Sequence, residues 1–77
     1  MLSITDLEAG DEAVVIELPK DPGTKRTLLV HGMHVGGKLR LVQLYPAQEL
    51  ALIIQNGRKI ALRSTDCKDI KVVLADE

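Results

Sequence analysis

The sequence predicts a mainly β domain, a small β-barrel of about five strands with a short helix inserted between the first two. Its strongest sign is a change of hydrophobic period. Lys25–His31 reads as a short helix, Gly32 stops it, and Lys38–Tyr45 alternates polar and apolar residues as a half-buried strand does. Asn56-Gly57, between two apolar runs, predicts a β-hairpin. The apolar residues are almost all aliphatic, with 1% aromatics, which suits strands packed in a small barrel.

Length and composition limit what the chain can be. Its 77 residues are enough for one domain spanning 1–77, and 45% of them are hydrophobic, well above the disordered range. The lone Cys67 excludes an internal disulfide and indicates a reducing compartment. Met1 leads into folded-looking sequence without a secretory signal, and the longest apolar run, Leu50–Ile54, is too short to span a bilayer. We therefore expect a cytoplasmic domain with no direct membrane insertion.

The elements before residue 46 follow from turn residues and apolar spacing. Glu12–Leu18 is the first predicted strand, and the Pro-Gly pair within Lys20–Gly23 marks a turn. Thr24 is the expected N-cap of the helix that follows. The strand Lys38–Tyr45 changes its apolar phase midway, which predicts a bulge or a bend around a barrel corner, and Pro46 ends it.

The Asn56-Gly57 hairpin allows two registers. A two-residue turn pairs Gln55 with Arg58, whereas a three-residue turn with a left-handed Gly57 pairs Ile54 with Arg58. The second register gathers large aliphatic side chains on one face, namely Leu50, Leu52, Ile54, Ile60 and Leu62. Because each such side chain contributes about 1.5–3 kcal/mol when buried, we expect the three-residue turn.

The end of the chain predicts one more helical turn and one more strand. Ser64-Thr65-Asp66 is a cluster of capping residues, and Thr65–Asp69 is expected to form a single helical turn. Ile70–Leu74 is the predicted last strand. Ala75–Glu77 is expected to fray, as chain ends do.

No arrangement of residues predicts catalysis or a bound cofactor, so we expect no enzymatic activity. His31 and His34 are spaced as a ligand pair, but Gly32 separates them and no third ligand is apparent, so no metal site is predicted. Cys67 lacks a neighbouring base and is expected to pack as a small apolar residue.

The charge pattern argues against nucleic acid and against anionic membranes as partners. The net charge is −1, and ten basic and eleven acidic residues are interleaved. Nucleic-acid-binding barrels usually add aromatic stacking platforms, and this chain has one tyrosine. Solvated strand faces are the simpler interpretation of the basic residues that could gather on one side: Lys25, Arg26, Lys38, Arg40, Arg58, Lys59 and Arg63.

A protein-binding surface is predicted on the helix and the turn after it. Lys25 and Arg26 occupy a helix start, which the helix dipole makes unfavourable for cations, so another interaction is expected to hold those charges there. Met33 and Val35 lie among glycines beside them, and flexible apolar residues next to basic ones suit a protein interface. The alternative is that Met33 and Val35 plug the end of the barrel.

Three segments of the chain resemble the FeoA family. Ile4–Ala13 is similar to the start of these proteins, Arg26–Leu39 to a glycine-containing segment, and Gly57–Val72 to their ending. They occur in the family's order and spacing and cover nearly the whole chain. The chain departs from the family at Val30 and His31, where an acidic residue and a methionine are often found.

The resemblance implies an SH3-like barrel, a fold also found at the C-terminus of DtxR-type iron-dependent repressors. It further implies a small cytosolic accessory protein of bacterial ferrous iron uptake that binds the cytosolic part of a FeoB-like membrane transporter. It brings no catalytic motif and no set of metal ligands. Two alternatives stay open: a metal-responsive regulator or transition-metal carrier, and a nucleic-acid-binding small barrel. Self-association into a weak homo-oligomer also stays open.

Overall fold

The computed structural model describes residues 1–75 and consists of one antiparallel sheet, one longer helix and a short helical turn. The prediction of a mainly β fold is therefore confirmed. The elements in chain order are β1 (Leu2–Ser3), β2 (Glu12–Glu17), α1 (Pro22–Val30), β3 (Lys38–Tyr45), β4 (Leu50–Gln55), β5 (Arg58–Arg63), α2 (Ser64–Cys67) and β6 (Lys71–Leu74). Short 3-10 turns lie at Ile4–Asp6 and Pro46–Gln48.

The sheet has six strands in the order β1-β6-β2-β3-β4-β5, one more than predicted. Within residues 1–75 it remains an open sheet with β1 and β5 at its edges, rather than a closed barrel. The additional strand is β1, in which Leu2 pairs with Val72 and Ser3 with Lys71. Two residues are too few to show an alternating pattern, so only the pairing with a distant segment makes this strand visible.

β3 has the predicted bounds, and its phase change is a bulge. Leu41 pairs with Ile53 of β4, but the next pair joins Gln43 to Leu52, so Val42 is an extra residue on β3. A bulge of this kind bends the strand and moves the next apolar side chains to a new phase. The prediction made from the sequence of this strand is confirmed.

The prediction of a three-residue hairpin turn is wrong, because the structure has the two-residue turn. Gln55 pairs with Arg58, and both Asn56 and Gly57 have positive φ, at 53° and 77°. Two left-handed residues in succession are the pattern of a type I′ turn, whose twist matches that of the two strands. Positive φ at Gly57 was common to the expected turn and the observed one.

The predicted register is wrong because it assumes that only one face of β4 is shielded from solvent. Ala51 and Ile53 are fully buried, yet Leu52 and Ile54 on the opposite face are half-buried as well. An antiparallel sheet often leaves one face to solvent, but the second face of β4 is only partly exposed. The observed register therefore still buries part of the apolar area that favoured the predicted register.

The last helical turn and strand are shifted from their predicted bounds. α2 begins at Ser64 and its N-cap residue is Arg63. Among residues 1–75 no side chain caps it, so the predicted capping cluster does not act as a cap. Ile70 precedes β6 and is fully buried. Ala75 donates its N–H to Glu12 O at 2.9 Å, so it is held against β2 and the expected fraying is wrong there. Asp76 and Glu77 lie outside the described residues.

One aliphatic core holds these elements together. Cys67 is fully buried in it, as predicted for a packing role. No helix within residues 1–75 is long and apolar enough to cross a membrane. The buried apolar residues are Ile4, Leu7, Ala13, Val15, Leu18, Leu28, Met33, Leu39, Leu41, Ala51, Ile53, Leu62, Cys67, Ile70 and Val72.

The observed hairpin register predicts a contrast between two neighbouring isoleucines. Ile53→Ala should lower the free energy of unfolding by about 2–5 kcal/mol, because it opens a cavity in the core. Ile54→Ala removes the same atoms from a half-buried position and should cost clearly less. Urea unfolding curves of the two variants measure the difference. Equal midpoints, or a larger loss for Ile54→Ala, would contradict this register.

Candidate protein-interaction site

Helix α1 begins at a carboxylate cap three residues before the predicted one. The Asp21 carboxylate accepts hydrogen bonds from the Thr24 N–H and the Thr24 hydroxyl, both at 3.0 Å, and Pro22 is the first helical residue. Asp21 is therefore the N-cap, and the prediction of Thr24 in that role is wrong. The bond from the Thr24 backbone N–H, and to a lesser extent the bond from its hydroxyl, lower the pKa of the Asp21 carboxyl below its usual value.

The earlier start changes the position of the two basic residues on the helix. Lys25 is the fourth helical residue, and its N–H already bonds to Asp21 O at 2.9 Å. The unfavourable effect of the helix dipole falls off beyond the first turn, so the cost assigned to Lys25 and Arg26 from the sequence is smaller than expected. Their place in an interface therefore has to rest on exposure and on their neighbours.

Helix α1 ends in a Schellman motif centred on Gly32. Gly32 has φ of 90°, its N–H bonds to Leu29 O at 3.0 Å, and the Met33 N–H bonds to Leu28 O at 3.0 Å. In this motif the residue after the glycine normally contacts the residue five positions before it. Leu28 and Met33 are accordingly both buried, 3% and 1% exposed.

The loop after α1 is tied to two strands. The Gln55 side-chain Nε2, at the end of β4, donates to Gly32 O at 2.8 Å. Gly36 N–H donates to Val15 O at 2.7 Å, and Val15 N–H donates to Gly37 O at 2.9 Å. These bonds fix the end of α1 and its loop to the sheet. Gln55 is itself buried, and its Oε1 has no hydrogen-bond partner within the described residues.

One face of α1, continued by its loop, is exposed and partly apolar. Lys25 and Arg26 are exposed, and Leu29 and Val30 lie one turn further on, 47% and 78% exposed. Val35 of the loop is 59% exposed. We call Lys25, Arg26, Leu29, Val30 and Val35 the outer surface of α1.

Only part of the outer surface of α1 was predicted from the sequence. Met33 was predicted as a member, but its side chain is buried in the core, as in the alternative that it plugs the end of the fold. Leu29 and Val30 were missed, since they were read as part of the apolar helix pattern. Their spacing was the available signal, because residues four apart on a helix are neighbours and these two follow Lys25 and Arg26 at that distance.

A groove of about 770 Å³ separates the other side of α1 from strand β5. Thr24, Thr27 and Leu28 of α1 line one wall. Ile60 and Leu62 lie on the β5 side. The structure thus places one surface on each side of α1. Part of the outer surface was predicted from the sequence, and the groove was not.

The histidines and the cysteine do not form a reactive centre. His34 Nδ1 lies 3.0 Å from Val35 O, and His31 is the exposed C-cap residue of α1. In the part of the chain that the structure describes, no three His, Cys, Asp or Glu side chains are placed to hold a metal ion. Burial, with a smaller effect from the neighbouring Asp66 charge, raises the pKa of Cys67 to about 12. Its thiol therefore stays protonated at neutral pH.

Comparison with solved structures defines the fold class. A FeoA protein from Chlorobium tepidum is 25% identical with a TM-score of 0.89, and the match covers 97% of this chain and 71% of that one. A FeoA-like protein from Clostridium acetobutylicum is 20% identical with a TM-score of 0.85, covering 99% and 88%. A manganese-dependent transcriptional repressor is 20% identical with a TM-score of 0.91, covering 96% of this chain and 36% of the repressor.

The fold is therefore the SH3-like one shared by FeoA proteins and by a domain of such repressors. A family model described as the FeoA domain matches residues 2–74. The chain belongs to the FeoA family, which is associated with ferrous iron transport. Among curated proteins no relative matches it.

The Schellman motif predicts that Gly32 cannot be replaced without loss of stability. Gly32→Ala should lower the free energy of unfolding by about 1–2 kcal/mol, because a side chain is strained at φ of 90°. Gly23→Ala, within the same helix, is the control: its new Cβ would make only an ordinary contact of 3.5 Å with Asp21 Oδ2. Thermal melts should show a loss for the first variant and none for the second, and equal melting temperatures would refute the motif's role.

The Asp21 cap predicts that the start of α1 weakens in acid. The pKa of Asp21 is lower in the folded than in the unfolded chain, so the cap contributes stability above the unfolded pKa and loses it as pH falls through the folded one. The Thr24 amide resonance, followed by NMR during acid titration, should report this lowered pKa. Thr24→Ala keeps the backbone bond and loses the hydroxyl, so the Asp21 pKa should rise only part of the way towards its usual value. An unchanged pKa would contradict the role of the hydroxyl in the cap.

Proposed function

We propose that this chain is a cytoplasmic accessory protein of bacterial ferrous iron uptake, acting by protein binding and not by catalysis. Its partner is the cytosolic part of a FeoB-like transporter, and its contact region is the outer surface of α1. Membership of the FeoA family supports the transport context. The particular partner is an inference from that context.

The observation that carries the proposal is the exposure of Leu29 and Val30 on a helix that has a buried face. α1 buries Leu28 against the sheet, yet the next two apolar residues face solvent. Val35 adds a third exposed apolar side chain from the loop. Clustered exposed apolar residues next to basic ones are typical of a protein-binding surface.

The outer surface of α1 is also prepared for binding before any partner arrives. The Asp21 cap and the Schellman motif at Gly32 hold the two helix ends, and Gln55 anchors the loop. Little conformational entropy of α1 and its loop is therefore lost when a partner docks. Lys25 and Arg26 favour a partner surface that carries acidic residues beside apolar ones.

The alternative functions have less support in the structure. The metal-responsive alternative rests on the fold likeness to a manganese-dependent repressor, at 20% identity, and that likeness concerns the fold alone. The nucleic-acid alternative rests on Arg58, Lys59 and Arg63 of β5, which have no aromatic side chain among them in that strand.

Charge reversal on the outer surface of α1 tests the proposal. Lys25→Glu with Arg26→Glu should leave the melting temperature unchanged, because both side chains are exposed, and should weaken capture by the cytosolic part of a FeoB-like transporter about tenfold or more. Leu29→Ser with Val30→Ser should have a similar effect through loss of apolar contact.

A matched control separates a local effect from one of total charge. Lys38→Glu with Lys68→Glu changes the net charge by the same amount at two exposed positions on other elements. This control should bind as the unmodified chain does. If the Lys25 and Arg26 variant also binds normally and keeps its melting temperature, the outer surface of α1 is not the interface.

A further inference from the structure

Strand β5 lies at one edge of the sheet, and within residues 1–75 no strand pairs with its outer side. Gln55 and Arg58 flank the two-residue turn and pair with each other, and Ser64 N–H donates to Glu49 O at 2.9 Å just beyond the strand. In an antiparallel pair, hydrogen-bonded positions alternate along the strand. The even-numbered residues of β5 therefore bond to β4, and the N–H and C=O groups of Lys59, Ala61 and Arg63 point away from it.

The space beside this edge is open. The groove between α1 and β5 described above, here called the α1–β5 groove, runs along the strand, with Ile60 and Leu62 on one side and Leu28 of α1 on the other. An extended chain lying against β5 would place alternate side chains towards these apolar residues. Its other side chains would lie on the opposite face, beside the exposed Lys59, Ala61 and Arg63.

The charges on that opposite face select the occupant. Lys59 and Arg63 flank the small Ala61, so acidic side chains opposite the two cations and a small one opposite the alanine would be complementary. A second copy of this chain is disfavoured. Antiparallel pairing of β5 with itself about Ala61 would set Lys59 directly opposite Arg63, and like charges in that position are destabilising.

We propose that the free edge of β5 accepts an extended acidic segment of another protein as an additional antiparallel strand. The segment alternates acidic or small residues, facing Lys59, Ala61 and Arg63, with apolar residues that enter the α1–β5 groove. Main-chain hydrogen bonds to the three free residues provide affinity, and the alternating side chains provide specificity. This surface is separate from the outer surface of α1 and does not depend on the proposed transporter contact.

A designed peptide tests the proposal directly. Acetyl-Thr-Glu-Val-Ala-Val-Glu-Thr-amide has glutamates spaced to face Lys59 and Arg63 and valines spaced to enter the groove. In an NMR titration of the labelled full chain, it should shift the β5 resonances. It should also slow hydrogen exchange of the Lys59, Ala61 and Arg63 amides, because only these gain a new partner. Absence of binding, or protection elsewhere than at these amides, would overturn the proposal.

Two variants of β5 test the charge interactions and the main-chain hydrogen bonds separately. Lys59→Glu with Arg63→Glu should weaken binding of the glutamate peptide about tenfold or more and restore binding to a matching peptide with lysines in place of the glutamates. Ala61→Pro removes an outward N–H, a change tolerated on edge strands, and should abolish binding of the glutamate peptide. Should that variant fold poorly, the charge exchange still decides the outcome.

Two further outcomes complete the experiment. Lys25→Glu with Arg26→Glu should bind the glutamate peptide as the unmodified chain does, since those residues lie outside the groove lining. If this variant loses as much affinity as the β5 variant, binding depends only on the net charge of the chain, and the proposal is overturned. Sedimentation of the chain alone should show a monomer. A dimer whose formation protects the three β5 amides would assign the edge to a second copy instead.

Discussion

The burial of Leu28 is the contact on which both candidate surfaces depend, because it is the buried side chain by which α1 is held to the sheet. Its position sets which helix residues face the solvent and how far the helix stands from β5. Met33 joins Leu28 in the core through the Schellman motif, so the end of the helix and its anchor form one unit. Loosening this unit would disturb the outer surface of α1 and the α1–β5 groove together.

A small aliphatic domain has few other ways to hold such a helix. The chain has one aromatic residue, Tyr45, and it is 44% exposed, so the core consists of aliphatic side chains with Met33 and Cys67. Backbone and side-chain hydrogen bonds supplement this packing where the loop meets the sheet, above all the bond from Gln55 to Gly32 O. This bond has a cost, because it buries the Gln55 amide and its Oε1 has no hydrogen-bond partner within residues 1–75.

The two surfaces differ in how they would recognise a partner. The outer surface of α1 offers side chains on a rigid helix, which suits a folded partner with a complementary patch. The β5 edge offers main-chain groups, which suits an extended segment with little structure of its own. Because they lie on opposite sides of α1, one partner could contact both, or two partners could bind independently.

By itself the sequence determined what depends on neighbours along the chain: the helix that Gly32 terminates, the strand Lys38–Tyr45 with its bulge, and the presence of a hairpin at Asn56-Gly57 but not its register. Resemblance supplied the family. Tertiary structure alone decided the two-residue strand β1, the half-buried second face of β4 and the burial of Met33, and it placed β5 at an edge of the sheet within residues 1–75. These features depend on contacts between distant segments, such as Leu2 with Val72, and residue periodicity within one segment carries no information about which segment will cover it.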